Sequence, residues 1–180
     1  LLREALELDS ATNTFTSTAL YPLDKDRKHH FVYRQRVALQ PNGLVKVTCS
    51  WDVPKGWRGD FLQYGYYLRW VNDHEGKSIR INGQENAIKR TTNPFFNSTI
   101  RGENSFEMFP NDPAESFVLR TSQTQKATVT CQPDHRGKPI LQLRMMNSET
   151  TDYSFLLDFR KSVQLNNSAQ TRGNIVFMAL

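Results

Sequence analysis

The chain has 180 residues, of which 38% are hydrophobic and 11% aromatic, and its formal net charge is +5 at pH 7. This length fits a single domain over residues 1–180 with its own core, and the composition excludes an intrinsically disordered chain. No apolar run is long enough to span a membrane, and the mild positive charge permits an acidic partner without requiring one.

The first predicted element is a short N-terminal helix. Residues 1–8 place Leu1, Ala5 and Leu8 near one face of two helical turns, although a helix this short needs support from the rest of the fold. The segment begins with neither Met nor a secretory signal pattern, so we expect a fragment or a processed chain.

From residue 31 onward, short runs of alternating apolar residues predict strands. In chain order the runs are FVYRQRVAL, LVKVTC, YYLRWV, SIRIN, SFEMF, SFVLR, ATVTC, ILQLRMM, YSFLLDF, SVQLN and NIVFMAL. Pro41-Asn42-Gly43 is a strong turn signal, and Glu75-Gly76 and Asn82-Gly83 are weaker ones. About eleven short strands separated by turns predict an all-β fold, most simply an antiparallel β-sandwich that is jelly-roll-like or similar.

Blocks of similar sequence recur in the same order in the two halves of the chain. The clearest pairs are FVYR at 31–34 with FVLR at 117–120, VTC at 47–49 with VTC at 129–131, and KSIRIN at 77–82 with KSVQLN at 161–166. These pairs predict an internal duplication, with candidate repeats at 13–100 and 104–180 whose β layers cover each other about a pseudo-twofold axis. The alternative is that strand composition alone generates similar blocks.

The two cysteines, Cys49 and Cys131, occupy equivalent positions in the candidate repeats. Equivalent residues meet only near the axis, where a Cys49–Cys131 disulfide would close a loop of about 80 residues. The alternative, favoured because disulfide geometry is strict, is a pair of buried thiols. Two distant cysteines without a nearby histidine pair are not a recognisable zinc site, so we predict no metal.

The two halves differ most at residues 50–67, where a specific contact could have been added. This stretch supplies the candidate partner-binding residues Trp51, Lys55, Trp57, Arg58, Asp60, Tyr64 and Tyr66. Exposed aromatic rings suit protein and sugar surfaces, rings beside Lys and Arg suit nucleic acid, and the structural alternative is that the rings pack in the core. Arg58-Gly59-Asp60 resembles the adhesion tripeptide read by integrins, a match that also arises often by chance.

Four arginines recur near the starts of apolar strands: Arg34, Arg69, Arg120 and Arg144. Side chains that alternate along strands can line one basic face, which suits an acidic ligand or nucleic acid. The more ordinary interpretation is a solvated face whose arginines pair with nearby acids.

Motifs of common enzymes are missing from the sequence, which contains no His-x-x-x-His pair, Gly-x-Ser-x-Gly motif, phosphate-binding glycine loop or dinucleotide fingerprint. We therefore predict no cofactor and favour a non-enzymatic structural or binding module, part of an oligomer or larger assembly, that contacts a protein or glycan. A shell or surface protein, extracellular or virion-associated, fits this hypothesis. The alternative is a nucleic-acid-binding β domain that uses the arginine face.

Overall fold

The structure, a computed structural model, describes residues 3–52, 54, 64–70, 74–91, 93–133, 137, 139–147, 152–163 and 175–179. Within these ranges the chain forms fourteen strands and one helical turn. The strands are β1 (Arg3–Asp9), β2 (Thr14–Pro22), β3 (His30–Leu39), β4 (Val45–Asp52), β5 (Tyr64–Trp70), β6 (Ser78–Ile81), β7 (Gln84–Ala87), β8 (Phe96–Ile100), β9 (Asn104–Met108), β10 (Phe117–Thr121), β11 (Gln125–Pro133), β12 (Pro139–Asn147), β13 (Asp152–Asp158) and β14 (Ile175–Ala179), and the turn is α1 (Arg160–Val163).

The strands form two antiparallel sheets, which confirms the predicted all-β, antiparallel class. Sheet A has nine strands in the order β1-β2-β3-β4-β13-β10-β9-β6-β7, and sheet B has five in the order β14-β5-β12-β11-β8. The chain changes sheet repeatedly after β4: β5, β8, β11, β12 and β14 belong to sheet B, and the strands between them belong to sheet A. Pairs distant in sequence result, such as β4 with β13 and β5 with β12. In the part of the chain that the structure describes, no helix is long and apolar enough to cross a membrane.

A single hydrophobic cluster contains buried residues from both sheets. Alternation explains it: β4 buries Val47, Cys49 and Trp51, and β11 buries alternate residues in the same way, because successive side chains point to opposite faces of a sheet. The rings of Trp70 in β5 and Phe117 in β10 stack with their centroids 5.9 Å apart, so side chains of the two sheets are in contact.

Two turns predicted from the sequence are present. Between β3 and β4, the Gln40 N–H donates to the Leu44 carbonyl at 2.8 Å, and Gly43 has a φ of +80°. Between β6 and β7, Asn82 and Gly83 both have positive φ, at 48° and 83°. A two-residue type I′ turn requires positive φ at both positions, which is why Asn-Gly closes this hairpin.

The predicted N-terminal helix is wrong, because residues 3–9 form strand β1. The strand pairs along its whole length with β2, from Arg3 opposite Leu20 to Asp9 opposite Thr14. The Asp9 carboxylate fixes the connecting turn by accepting from the Ala11 N–H at 2.9 Å and the Thr12 hydroxyl at 2.7 Å. Two isolated helical turns are marginal, so hydrogen bonds to a neighbouring strand prevail.

Of the sequence blocks that predicted a duplication, one pair lies in the same sheet and the others lie at unlike places in the fold. The blocks at 31–34 and 117–120 both lie in sheet A, in β3 and β10, but the block at 47–49 lies in sheet A and its counterpart at 129–131 in sheet B. The block at 77–82 contains β6, whereas Lys161 lies in α1, so the strand predicted at SVQLN begins as a helical turn. Residues 164–166 of that block lie outside the described residues.

Candidate interaction surface

Four large apolar side chains are exposed together at the β1 end of sheet A. They are Leu6 (63% exposed), Leu8 (76%), Phe15 (37%) and Leu39 (51%), and we call this group the overhang. Leu8 lies opposite Phe15, Phe15 opposite Val37, and Val37 opposite the fully buried Val47. Directly opposite residues of antiparallel strands point to the same face. The overhang therefore lies on the side of sheet A that faces the core.

On this face the side chains with the highest exposure are on the edge strand β1. In the row through Val47 the exposed fraction grows from 0% at Val47 to 37% at Phe15 and 76% at Leu8. In the row through Leu6, Cys49 and Ser17 are buried, Gln35 is half-buried, and only Leu6 on the edge strand is exposed. Sheet B has five strands and sheet A has nine, and among the described residues Leu6 and Leu8 are the most exposed large apolar side chains on this face. Sequence reasoning missed the overhang; its only local signal was the alternation of Leu6 and Leu8 with charged residues.

Strand β1 is also an edge, since sheet A begins with it. Its register with β2 is continuous over all seven residues, with no bulge. Hydrogen bonds from the Thr12 hydroxyl and from the Thr12 and Ala11 N–H groups hold the pKa of Asp9 below its usual value, so this exposed end of β1 carries a negative charge at neutral pH.

The opposite, outward face of sheet A holds an open pocket of about 680 Å³. Its lining combines the apolar side chains of Leu44, Phe155 and Leu156 with amide, hydroxyl and charged side chains, among them Lys46, Asn82, Ser105 and Arg120. The Asn82 side-chain amide donates to Asn104 Oδ1 at 2.8 Å, and the Ser105 N–H donates to Asn82 Oδ1 at 2.8 Å. The pocket therefore offers polar groups that are fixed in position on a rigid sheet.

The four arginines of the predicted basic face are divided between the two sheets. Arg34 in β3 and Arg120 in β10 belong to sheet A, whereas Arg69 in β5 and Arg144 in β12 belong to sheet B. Arg34 lies 3.6 Å from a carboxylate oxygen of Asp52, and Arg120 lies 3.6 Å from one of Asp158.

In sheet B, the Gln142 side-chain amide is oriented so that its oxygen faces Arg69. This oxygen accepts a hydrogen bond from Arg69 Nε at 2.9 Å. The Nε of Arg144 contacts the sulfur of Met146. The structure thus divides the four arginines between two sheets, so they do not line one basic face.

The predicted aromatic loop is described only in part. Trp51 is 3% exposed and packs against Tyr33 and Tyr153, at centroid distances of 5.3 and 5.5 Å, so it is a core residue. Tyr64 and Tyr66 lie in β5, where their backbones pair with Asn147 and Met145 of β12. The remaining predicted contact residues lie outside the described residues: Lys55, Trp57, Arg58 and Asp60.

The two cysteines are buried thiols in different sheets, so the Cys49–Cys131 disulfide considered from the sequence is not formed. The Tyr33 hydroxyl donates to Cys49 Sγ at 3.4 Å. Burial raises the pKa of the Cys49 thiol to about 11 and also raises the pKa of Tyr33. Cys49 is therefore protonated at neutral pH and behaves as a small apolar core residue.

An ion cluster holds the loop after β9 against the start of β6. Lys77 Nζ donates to Asp112 Oδ2 and to Glu115 Oε2, each at 2.8 Å, and lies 5.2 Å from the centre of the Phe109 ring. Buried His74 stacks on the same ring at 4.4 Å. Over the described ranges, no three His, Cys, Asp or Glu side chains are grouped so that they could hold a metal ion.

Comparisons with known proteins found no matching family model, no matching curated protein and no matching solved structure. Function must therefore be argued from the surfaces of the chain itself.

Proposed function

We propose that the chain is a non-enzymatic structural or binding module, and that it contacts another protein through the overhang. The observation that carries this proposal is the exposure of Leu6, Leu8, Phe15 and Leu39 on the core-facing side of sheet A. Contiguous apolar patches on soluble proteins mark interaction sites. Removing such surface from water stabilises a complex by about 25 cal/mol per Å² of apolar area.

The proposed architecture is a β-sandwich whose two sheets share one core. Two observations support it: the hydrophobic cluster contains residues of both sheets, and the Trp70 and Phe117 rings are in contact. Duplication of residues 13–100 as 104–180 is supported by the shared sequence blocks and by the common sheet of β3 and β10, and it stays a prediction. A subunit of a shell or surface assembly suits a sandwich with one uncovered end, because neighbouring subunits can supply the missing cover.

A site-specific cross-linker tests the proposed contact. A photo-reactive amino acid replaces Leu8 in the overhang and, as the control, Arg36, which is exposed on the outward face of β3. On illumination in the cells that produce the chain, position 8 should give one or a few discrete protein adducts and position 36 should give far less. Equal labelling at the two positions, or no discrete adduct at position 8, would contradict the proposal.

A glycan is the second candidate partner, favoured by the pocket on the outward face of sheet A. Side-chain amides and hydroxyls that are held rigidly can hydrogen-bond sugar hydroxyls. Titration with soluble oligosaccharides, followed by backbone NMR, should shift the amides of Lys46 and Ser105 and leave those of Leu6 and Leu8 unchanged. Shifts spread over both faces would argue against a site in the pocket.

The nucleic-acid alternative has less support from the geometry. Arg34 and Arg120 each face a carboxylate, which offsets the charge that a phosphate would need, and Arg69 and Arg144 lie in the other sheet. Affinity for single-stranded nucleic acid that falls steeply with salt concentration would restore this alternative.

A further inference from the structure

The overhang and the free edge of β1 belong to the same strand, which identifies the partner that fits both. We infer that β1 pairs antiparallel with β1 of a second copy of this chain, about a twofold axis at Leu6. This inference rests on the proposed function, since it names the protein that the overhang contacts.

The edge of β1 is built as a template for another strand. Proteins commonly protect sheet edges with Pro, Lys, bulges or very short strands. Strand β1 has the sequence REALELD, which is seven residues long, lacks Pro and Lys and keeps an unbroken register to β2. Four of its residues are charged, and alternation puts one of them, Glu4, on the face of Leu6 and Leu8. Because the register is unbroken, the outer backbone groups of β1 are spaced regularly enough to pair along the full length of another strand.

Self-pairing of β1 has one register that uses all seven residues. When two copies of β1 run antiparallel, all seven residues of each are paired only if Leu6 lies opposite Leu6 of the second copy. The backbone of Arg3 in each copy then lies opposite that of Asp9 in the other, so a basic residue is paired with an acidic one at both ends. Directly opposite charges of unlike sign stabilise antiparallel pairs, and like charges destabilise them.

Neighbouring registers are worse on the same criteria. A shift of one residue would set core-facing side chains against outward-facing ones. A shift of two in one direction places Glu7 opposite Glu7, which is a repulsive pair. A shift of two in the other direction leaves only residues 3–7 in the overlap. The charge pattern therefore disfavours the register centred on Glu7, and the length of β1 favours the register centred on Leu6 over both shifted ones.

The same register brings the two overhangs together around Leu6, and it places Glu4 of each copy opposite Leu8 of the other. Leu6 contacts its own counterpart across the axis, and Leu8 is a diagonal neighbour of Leu6 in the second copy, at a distance within reach of long side chains. Phe15 continues the apolar surface on each side, since it lies opposite Leu8. One paired strand is a small interface, so we expect a dissociation constant in about the micromolar range.

Cysteine trapping tests both the pairing and its register. Leu6→Cys should form a covalent dimer under mild oxidation, because the two thiols lie opposite each other at the axis. Leu39→Cys is the matched control, since Leu39 is also exposed on the same face but lies two strands in from the edge. In Leu8→Cys the two thiols would be about 13 Å apart along the strands, at about 3.3 Å per residue. The native cysteines are buried and should not react.

The expected result is a rate of dimer formation for Leu6→Cys at least tenfold above the rates for Leu8→Cys and Leu39→Cys. Circular dichroism of the reduced variants checks that each is folded. Equal rates for all three variants would show random collision, and a monomeric Leu6→Cys would show that β1 does not pair with itself; either result overturns the inference.

A charge variant gives an independent readout of the same register. In sedimentation equilibrium, Arg3→Glu should weaken the dimer by about tenfold and Arg3→Lys should leave it nearly unchanged, because only the first variant sets two negative charges against each other. Identical dimerisation of both variants would overturn the register.

The photo-cross-linker at position 8 distinguishes contact with any protein through the overhang from self-pairing of β1. An adduct with a different protein, together with a monomeric Leu6→Cys, would overturn the second copy as partner and keep the proposed function. An adduct with twice the mass of the chain supports both. No adduct of any kind would overturn both.

Discussion

The two edges of sheet A, β1 and β7, are built in opposite ways. Strand β7 has four residues, Gln84–Ala87, and its Glu85 accepts hydrogen bonds from Ser78 at 2.6 Å and from Asn111 at 3.0 Å. Strand β1 has seven residues and exposes two leucines. A short, polar edge strand whose side chains are hydrogen-bonded to their neighbours resists pairing with other strands. A long edge strand with alternating apolar residues can pair more readily. One sheet thus has a protected edge and an available one.

The apolar faces beside these edges differ as well. Next to β7, strand β6 buries Ile79 and Ile81, and Phe109 and Ile88 belong to the same core cluster. Next to β1, strand β2 leaves Phe15 37% exposed. Phe109 and Ile88, which lie outside the strands, thus pack at the β7 end, whereas Leu6 and Leu8 are exposed at the β1 end.

Truncating one large apolar residue at each end should give the largest contrast. Ile79→Ala in β6 should lower the free energy of unfolding by about 3 kcal/mol, because the Ile79 side chain is fully buried and its truncation leaves a cavity in the core. Leu8→Ala should cost less than about 1 kcal/mol, because Leu8 is 76% exposed. Urea unfolding at a protein concentration low enough to keep the chain monomeric measures both. Similar losses for the two variants would show that the β1 end is as well covered as the β7 end.

Removing the ion cluster should weaken the β7 end by a smaller amount. Lys77→Met deletes the two hydrogen bonds to Asp112 and Glu115 and should cost about 1 kcal/mol, because these partly exposed charges are screened by solvent. Lys46→Met, at an exposed lysine of the same sheet, is the matched control and should change stability by less than about 0.5 kcal/mol. Equal changes in stability for the two variants would show that the ion cluster does not stabilise the β7 end.

The same cluster should make the effect of Lys77→Met depend on pH. The hydrogen bond from Lys77 lowers the pKa of Asp112, so the stability that Asp112 contributes is present above its ordinary pKa and is lost as pH falls through the lowered one. Burial alone would lower the pKa of Lys77, but hydrogen bonds and charges from Asp112 and Glu115 outweigh it and raise the pKa. The stability that Lys77 contributes is therefore present below the ordinary lysine pKa and is lost as pH rises through the raised one.

The free energies of unfolding of the wild type and of Lys77→Met, measured from about pH 3 to pH 11, test this. Their difference should be constant between about pH 5 and pH 9 and should shrink outside this range. A difference that is largest at either extreme would contradict this assignment.

Most of the strands were predictable, because burial on alternate residues leaves a local signature. The runs FVYRQRVAL, LVKVTC and ATVTC correspond to β3, β4 and β11, and the Asn82-Gly83 turn has the positive φ values that its sequence favours. Strand β2 was missed because its core-facing side includes Ser17 and Ala19, which carry a weak hydrophobic signal. Strand β1 was mistaken for a helix because Leu1, Ala5 and Leu8 also fit a helical spacing.

The candidate surface depended on information that no local window contains. Leu6 and Leu8 are ordinary residues for a strand; their exposure follows from the position of β1 at the end of a sheet that is wider than its partner. For the same reason, Trp51 was predicted as a contact residue, although strand pairing with β3 and β13 places it between Tyr33 and Tyr153. Strand order between distant segments decides both outcomes.

The smallest effect is expected from making the β7 edge less polar. In a Leu6→Lys background, which the pairing model predicts to be monomeric, adding Glu85→Val should leave the protein monomeric in sedimentation velocity. A four-residue strand offers too few hydrogen bonds for stable pairing, whatever its side chains. Dimers that appear in the double variant would show that charge alone, rather than length and geometry, keeps this edge free.

Hydrogen exchange at two protein concentrations tests most directly whether β1 is the available edge. As the concentration rises through the dissociation constant, the amides of residues 3–9 should become more protected, while those of residues 84–87 should exchange at an unchanged rate. Protection that is independent of concentration in residues 3–9, or that increases equally at both edges, would contradict the account.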